Sequence, residues 1–235
     1  SSSSGGTLGA FQEGIANAAA TGASLHFVHL NSSSGELAPT VLSLIRGARD
    51  RGIDITTEAY PYTAGSTRIE SASYDNWEGR DDADFARLLW PATGERLTAE
   101  SFARYREEGG WVISGSRSEE TNAWIVAQPD VMVASDGIPF LYGPAHPRGA
   151  GTFSRILGHY SRDQQTIGLM DALKKMTLLP AQRLEQIAPV MRNKGRIRLG
   201  ADADITLFDP DRVLDRSTYE QGDIPSEGIV HVLVS

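Results

Sequence analysis

Three stretches put reactive side chains where a folded chain can use them. The first is Val131-Met132-Val133-Ala134, which runs directly into Ser135-Asp136-Gly137. Four small or apolar residues ending in a lone carboxylate and a glycine read as a buried parallel strand that delivers an acid at its C-terminal end. In barrels and doubly wound sheets that end carries the chemistry. The plainer alternative is a strand followed by an Asp-Gly turn. The loop beyond offers Pro144, His146, Pro147 and Arg148, a stiff backbone presenting one imidazole and one guanidinium. A guanidinium can grip a carboxylate through two parallel hydrogen bonds, or it can be a solvated surface group. The second stretch is the short apolar strand Ser24 to Leu30, with His26 and His29. Side chains alternate along a strand, so the two imidazoles point to opposite faces and cannot ligate one metal. His29 lies nearer the C-terminal end, where a neutral imidazole suits zinc; the alternative is a hydrogen-bonded loop histidine. His26 is expected to face the helical layer. The third stretch, Tyr60 to Thr67, places the hydroxyls of Tyr60 and Ser66 after a further strand, as donors to an anion or as ordinary rim and turn residues.

The elements that position these residues follow from periodicity. Leu8 to Ala20 reads as a helix with Phe11, Ile15 and Ala18 on one face, ended by Gly22. Asn31 to Gly35 reads as a polar loop. Leu37, Val41, Leu44, Ile45 and Ala48 mark a second helix closed by Gly52, and Ile53 to Ala59 is again a strand. Strand, helix and strand form a βαβ unit, which implies parallel pairing and a right-handed crossover. Residues 68–110 are less regular. They hold two expected helices, Asp84 to Trp90 and Ala99 to Glu107, and the acids Asp75, Glu78, Asp81, Asp82 and Asp84, and read as a solvated excursion. Trp111 to Ser114 is a short strand. Ser118 caps a helix running to Ala127. Three more helices are expected around Phe153 to Tyr160, Ile167 to Met176 and Pro180 to Ile187. Beyond a boundary near Met191 to Lys194 the texture changes. Gly195 to Pro210 alternates like antiparallel strands, and Ile229 to Val234 is a last β segment. The expected organisation is an α/β body over residues 1–192 and a small β segment over 193–235.

Composition bounds the function. The chain has 235 residues, 40% of them hydrophobic and 22% charged, as in a globular protein. Its formal net charge of -8 disfavours nucleic acid and anionic membrane as partners. No run approaches the roughly 18 apolar residues of a membrane span, and no signal-peptide pattern is present. A cytoplasmic location is expected. There is no cysteine, so any metal must be held by histidine and carboxylate, and the five histidines limit that supply. Ser1 to Gly6 is a Ser/Gly tract expected to be disordered. Ser135 lacks a surrounding Gly-x-Ser-x-Gly elbow, which argues against a serine hydrolase. Gly195 to Gly200 lacks a Walker lysine and a following helix, which argues against a phosphate cradle.

The strand-end His29, Glu58-Ala59-Tyr60-Pro61-Tyr62-Thr63-Ala64-Gly65-Ser66-Thr67, and Ser135-Asp136-Gly137 with His146-Pro147-Arg148 resemble the amidohydrolase superfamily, most closely its N-acyl-D-amino-acid deacylase (D-aminoacylase) branch. Gly151-Thr152-Phe153, Leu157-Gly158-His159-Tyr160, Lys175-Met176-Thr177 and Gly195 to Pro210 extend the resemblance from Glu13 onward, outside residues 68–110.

The resemblance implies the C-terminal part of a zinc-dependent TIM-barrel hydrolase, strands six to eight with their helices, beside a β-sandwich segment. By similarity His29 is a zinc ligand. Asp136 is the general base and a ligand to a second metal. Tyr60, Ser66 and Arg148 hold the substrate's carboxylate, joined by Asn31 at a position that is often lysine in the family. The family's His-x-His pair, bridging ligand and fifth-strand histidine have no counterpart here, so most ligands for one or two zinc ions are expected upstream. The expected reaction is deacylation of an N-acyl-D-amino acid. Hydrolysis of a cyclic amide or imide on the same scaffold, or an inactive fragment needing its other half, are the alternatives. The expected partners are the small substrate and either the complementing half or a second copy.

Overall fold

The computed structural model describes residues 4–77, 79–115, 117–140 and 143–234. Glu78 and Ser1 to Ser3 lie outside them. The remainder of the Ser/Gly tract is helical, since helix α1 spans Ser4–Thr21. It leads into strand β1, Leu25–Phe27, shorter than the strand expected over Ser24 to Leu30. Gly14 lets α1 settle on β1: a Cβ there would stand 2.9 Å from the Phe27 ring.

The segment read as a polar loop is instead a short helix, α2, Leu30–Ser34. Its hydroxyls close it locally, as the Ser34 hydroxyl donates to the Leu30 carbonyl at 2.6 Å. Such a turn lacks the apolar repeat by which longer helices announce themselves. Helix α3, Ala38–Arg49, follows the predicted face closely, with Val41, Leu42, Ile45 and Ala48 buried. Strand β2 is Ile55–Ala59. It pairs in parallel with β1, Leu25 opposite Ile55, so the βαβ unit forms as expected. Fully burying each of the larger aliphatic side chains is worth about 1.5–3 kcal/mol.

Residues 68–110 are not a solvated excursion. Strand β3, Gly65–Arg68, is followed by helix α4, Asp82–Phe85, strands β4, Leu89–Trp90, and β5, Glu95–Arg96, helix α5, Ala99–Glu108, and strand β6, Trp111–Ser114. The four strands form an antiparallel sheet in the order β3-β6-β4-β5. It closes over a separate core that includes Ile69, Tyr74, Phe85, Leu88, Trp90, Phe102 and Tyr105. Trp90 stacks on Tyr105 at 4.0 Å and Trp77 on Phe102 at 5.5 Å. These aromatics come from short, irregular elements, so no single period reports them.

Helix α6, Glu119–Ala127, begins as expected with Ser118 accepting from the Thr121 N–H. Strand β7, Val131–Val133, is buried throughout and joins β2 in parallel, Thr57 opposite Val131. The order β1-β2-β7 makes a three-stranded parallel sheet, part of a mixed α/β architecture. Arg46 and Arg49 on α3 hold Asp130, at the start of β7, at 2.6 and 2.8 Å.

Helix α7, Arg148–Arg155, passes into a wide π-helical stretch, Ile156–Asp163, and is followed by α8, Leu169–Met176, and α9, Leu178–Leu184. Lys175 on α8 is buried and donates to the carbonyls of Val126 and Gln128 at the end of α6. Burial pushes its ammonium down to about 8. At the C-terminal end Ile205–Phe208 (β8) and Ile229–Leu233 (β9) pair antiparallel, with a single further bridge between Leu214 and Glu227. Gly195 to Gly200 is irregular, with Ile197 and Leu199 fully exposed. No helix among the described residues is long and apolar enough to cross a membrane.

Candidate active site

The C-terminal ends of β1, β2 and β7 lie side by side, and the chain leaves two of them in the same unusual way. His29, after β1, has φ 38° and ψ 58°; Asp136, after β7, has φ 48°. Residues other than glycine seldom adopt this left-handed region, and holding one there costs on the order of 1–3 kcal/mol. The strain at His29 is offset by Glu58 on β2, whose carboxylate accepts the His29 N–H at 2.8 Å. Because His29 has left the strand conformation, strand alternation no longer sets its direction. Its Nδ1 lies 2.8 Å from the Ser33 hydroxyl on α2. His26, within β1, meets the Thr56 hydroxyl at 2.7 Å, and burial pushes its imidazole below the ordinary range. It is structural, as expected.

Glu58 is a site residue the sequence reading did not single out. It is buried, and desolvation raises its carboxyl above the usual carboxylate range. The negative charge of Asp136 pushes in the same direction, while the His29 N–H, the His29 imidazole and the Arg148 guanidinium oppose it. Glu58, His29, Asp136 and Arg148 therefore share one electrostatic environment. The available signal was a glutamate at the end of a strand otherwise built from buried Ile, Thr and Ala.

Arg148 opens α7 with only 4% of its side chain exposed, and its Nη1 lies 2.9 Å from Asp136 Oδ2. Its guanidinium sits 4.7 Å from the centre of the Tyr60 ring. Its Nε is buried without a hydrogen-bond partner among the described residues. Tyr60 is buried to 1% exposure, and its hydroxyl oxygen accepts from Arg117 Nη2 at 3.0 Å. The tyrosine thus stands between two guanidiniums, of which only Arg148 was foreseen.

His146 fixes the loops that carry this group. It is fully buried; its Nδ1 accepts the Arg148 N–H at 3.1 Å and its Nε2 lies 3.0 Å from the Ala64 carbonyl. An N–H must donate and a carbonyl must accept, so the ring is neutral with its proton on Nε2. Burial, together with Arg148 and Arg117, pushes its pKa down to about 3. His146 therefore ties the β2–β3 loop to the start of α7.

Two expected substrate contacts are engaged elsewhere. Asn31 is fully buried. Its amide nitrogen lies 2.8 Å from the Tyr60 carbonyl, 3.3 Å from that of Tyr62 and 3.2 Å from Asn122 Oδ1. Its carboxamide is turned into the protein, where it braces the Tyr60 loop from beneath. Ser66 lies on β3 and its hydroxyl donates to the Val112 carbonyl at 3.0 Å, so its one proton is already committed.

The donor chemistry suits part of a zinc site. His29 presents an imidazole whose Nδ1 is held by Ser33, the arrangement in which the other nitrogen binds metal, and Asp136 presents a carboxylate that is one-third exposed. No group of three metal-ligating side chains occurs among the described residues. His29 and Asp136 fit as two ligands and do not complete a set.

No protein-family profile matches the chain. An N-acyl-D-glutamate deacylase from Alcaligenes xylosoxydans xylosoxydans is 33% identical over 229 residues, 92% of this chain and 44% of the relative. A D-aminoacylase from the same organism is 32% identical over 203 residues, 83% of this chain and 40% of the relative. The crystal structure of an N-acyl-D-glutamate deacylase from Bordetella bronchiseptica, complexed with zinc and a phosphonate mimic of the tetrahedral intermediate, superposes with a TM-score of 0.78 at 29% identity. That superposition covers 98% of this chain and 49% of the other. By sequence and by fold, the chain is a homologue of the N-acyl-D-amino-acid deacylases of the amidohydrolase superfamily, and it spans a little under half of their length.

Proposed function

We propose that the chain contributes part of the active site of a zinc-dependent deacylase that hydrolyses the amide bond of N-acyl-D-amino acids. The observation that carries this reading is the meeting of His29, Asp136 and Arg148 at the adjoining C-terminal ends of parallel strands, with Arg148 gripping Asp136 at 2.9 Å beside Tyr60. β1, β2 and β7 are then consecutive strands of a TIM barrel, residues 193–235 are a β-sandwich segment, and the remaining barrel strands come from a stretch outside these 235 residues.

His29 and Asp136 would hold zinc together with ligands from that other stretch. Zinc supplies polarisation of the amide carbonyl and acidification of water. Asp136 takes the proton of the attacking water and hands it to the leaving nitrogen, first as base and then as acid. Arg148 orients the Asp136 carboxylate and lies against the Tyr60 ring, beside which the substrate's carboxylate would sit. Tyr60 can donate its hydroxyl proton to the same carboxylate, because Arg117 already occupies an acceptor site on its oxygen. Ser66 can join them only after its hydroxyl turns from Val112.

The test is turnover by the zinc-loaded protein of a panel of N-acetyl-D-amino acids, their L-enantiomers and hydantoins. Release of acetate from the D-compounds alone is expected. Hydrolysis confined to the hydantoins would overturn the reading in favour of a cyclic amidase.

A further inference from the structure

The loop that carries Tyr60 is held at each carbonyl from Tyr60 to Ala64. Those of Tyr60 and Tyr62 accept from Asn31, that of Pro61 from Arg155 Nε at 2.7 Å, that of Thr63 from the Arg117 N–H at 2.9 Å, and that of Ala64 from His146. The N–H of Ala64 is answered from far along the chain. Tyr219 lies between β8 and β9, within the residues that read from sequence as a separate β segment. Its hydroxyl oxygen accepts the Ala64 N–H at 3.0 Å and lies 3.2 Å from the Thr63 hydroxyl. Its ring meets those of His146 and Tyr62 edge-on, at 5.3 and 6.3 Å, and packs on the buried Ala64, Leu89 and Ile113. The same stretch makes two further ties to the body. Asp215 Oδ2 accepts from the Tyr62 hydroxyl at 3.2 Å, and the Ser226 hydroxyl donates to the Ala150 carbonyl on α7 at 3.0 Å. Ala64 is thus pinned on both sides, by Tyr219 and by His146. Its position bears directly on Tyr60, whose hydroxyl lies against the next residue: a Cβ at Gly65 would stand 3.2 Å from it.

We propose that Tyr219 is a positioning residue: through Ala64 its hydroxyl fixes the end of the loop against which the Tyr60 hydroxyl rests, and so sets how Tyr60 meets the substrate's carboxylate. The inference rests on the deacylase reading for the identity of the substrate. The carboxylate is not the reacting group, so its contact with Tyr60 is made alike in the bound substrate and in the transition state. Loss of such a contact raises KM and leaves kcat in place.

The test is Tyr219→Phe, which keeps the ring and removes the hydroxyl, measured on the zinc-loaded protein with the panel of N-acetyl-D-amino acids. KM is expected to rise by about tenfold while kcat stays within about twofold, and the melting temperature to stay within about 2–4 °C of wild type. In a Tyr60→Phe background the same substitution is expected to change KM by less than about twofold, because the hydroxyl it positions is gone. A fall in kcat at unchanged KM would mark only a loss of folded enzyme and would overturn the inference. Losses that multiply in the double variant would show that Tyr219 acts apart from Tyr60 and would also overturn it. Both results leave the deacylase reading intact. A wild type that hydrolyses no N-acyl amino acid would remove that reading, and calorimetric binding of the same panel then decides. Binding weakened by Tyr219→Phe in the wild type, but not in the Tyr60→Phe background, keeps the positioning role; unchanged or absent binding overturns it.

Discussion

Arg148 Nη1 stands 2.9 Å from Asp136 Oδ2, with the arginine buried and the carboxylate one-third exposed. The arginine expected to meet the substrate is therefore also the group that aims the base. Asp136→Asn keeps the shape and a hydrogen-bond acceptor for Arg148 but cannot carry the proton. We expect turnover to fall by about 10²–10⁴-fold, while the zinc held by the other ligands remains bound by atomic emission. Activity close to wild type would sink the assignment of Asp136 as base.

Glu58 holds His29 in its left-handed turn. Glu58→Leu removes the acceptor and leaves the half-buried His29 N–H unpaired, a cost of at most about 1–3 kcal/mol. The melting temperature should drop, and zinc affinity should drop with it as His29 loses its orientation. Glu58→Gln retains an acceptor oxygen and should lie nearer wild type by differential scanning calorimetry. Equal stability of Glu58→Leu and wild type would show that the turn holds itself.

His146 makes stability depend on acid. Its folded pKa is pushed from 6.5 down to about 3, so below about 6.5 the unfolded chain binds a proton that the folded chain refuses. Stability from this group is full above pH 6.5 and declines as pH falls toward 3, by about 1.4 kcal/mol per unit. Urea midpoints of wild type and His146→Gln between pH 4 and 7.5 should converge on acidification. Parallel curves would refute the neutral, locked imidazole.

Lys175 acts at the other end of the scale. Its ammonium is pushed from 10.5 down to about 8, so between those values the unfolded chain holds a proton that the folded chain has released. Stability from this group rises with pH across that window, by about 1.4 kcal/mol per unit. Lys175→Met should lose this rise, read as the difference between the two denaturation series from pH 7.5 to 10.5.

The elements that carry the site were legible where burial has a period. Val131–Val133 and Ile55–Ala59 read as buried parallel strands because both faces are covered, and Ala38–Arg49 read as a helix because one face is apolar. The small core around Trp90 and Tyr105 was not legible, because its members meet only when short irregular pieces fold over one another.

For the site, the sequence alone determined which reactive residues end the strands: His29, Asp136 and, through its loop, Arg148. It could not determine their company. That Asn31 turns inward beneath Tyr60, that Glu58 supports His29, and that Arg117 arrives 57 positions away to meet the Tyr60 hydroxyl were decided by tertiary structure. Hydrogen bonds and ion pairs between distant loops leave no spacing in the chain. They depend on which backbone conformation each strand end adopts, and the left-handed turns at His29 and Asp136 exist only because folded neighbours hold them.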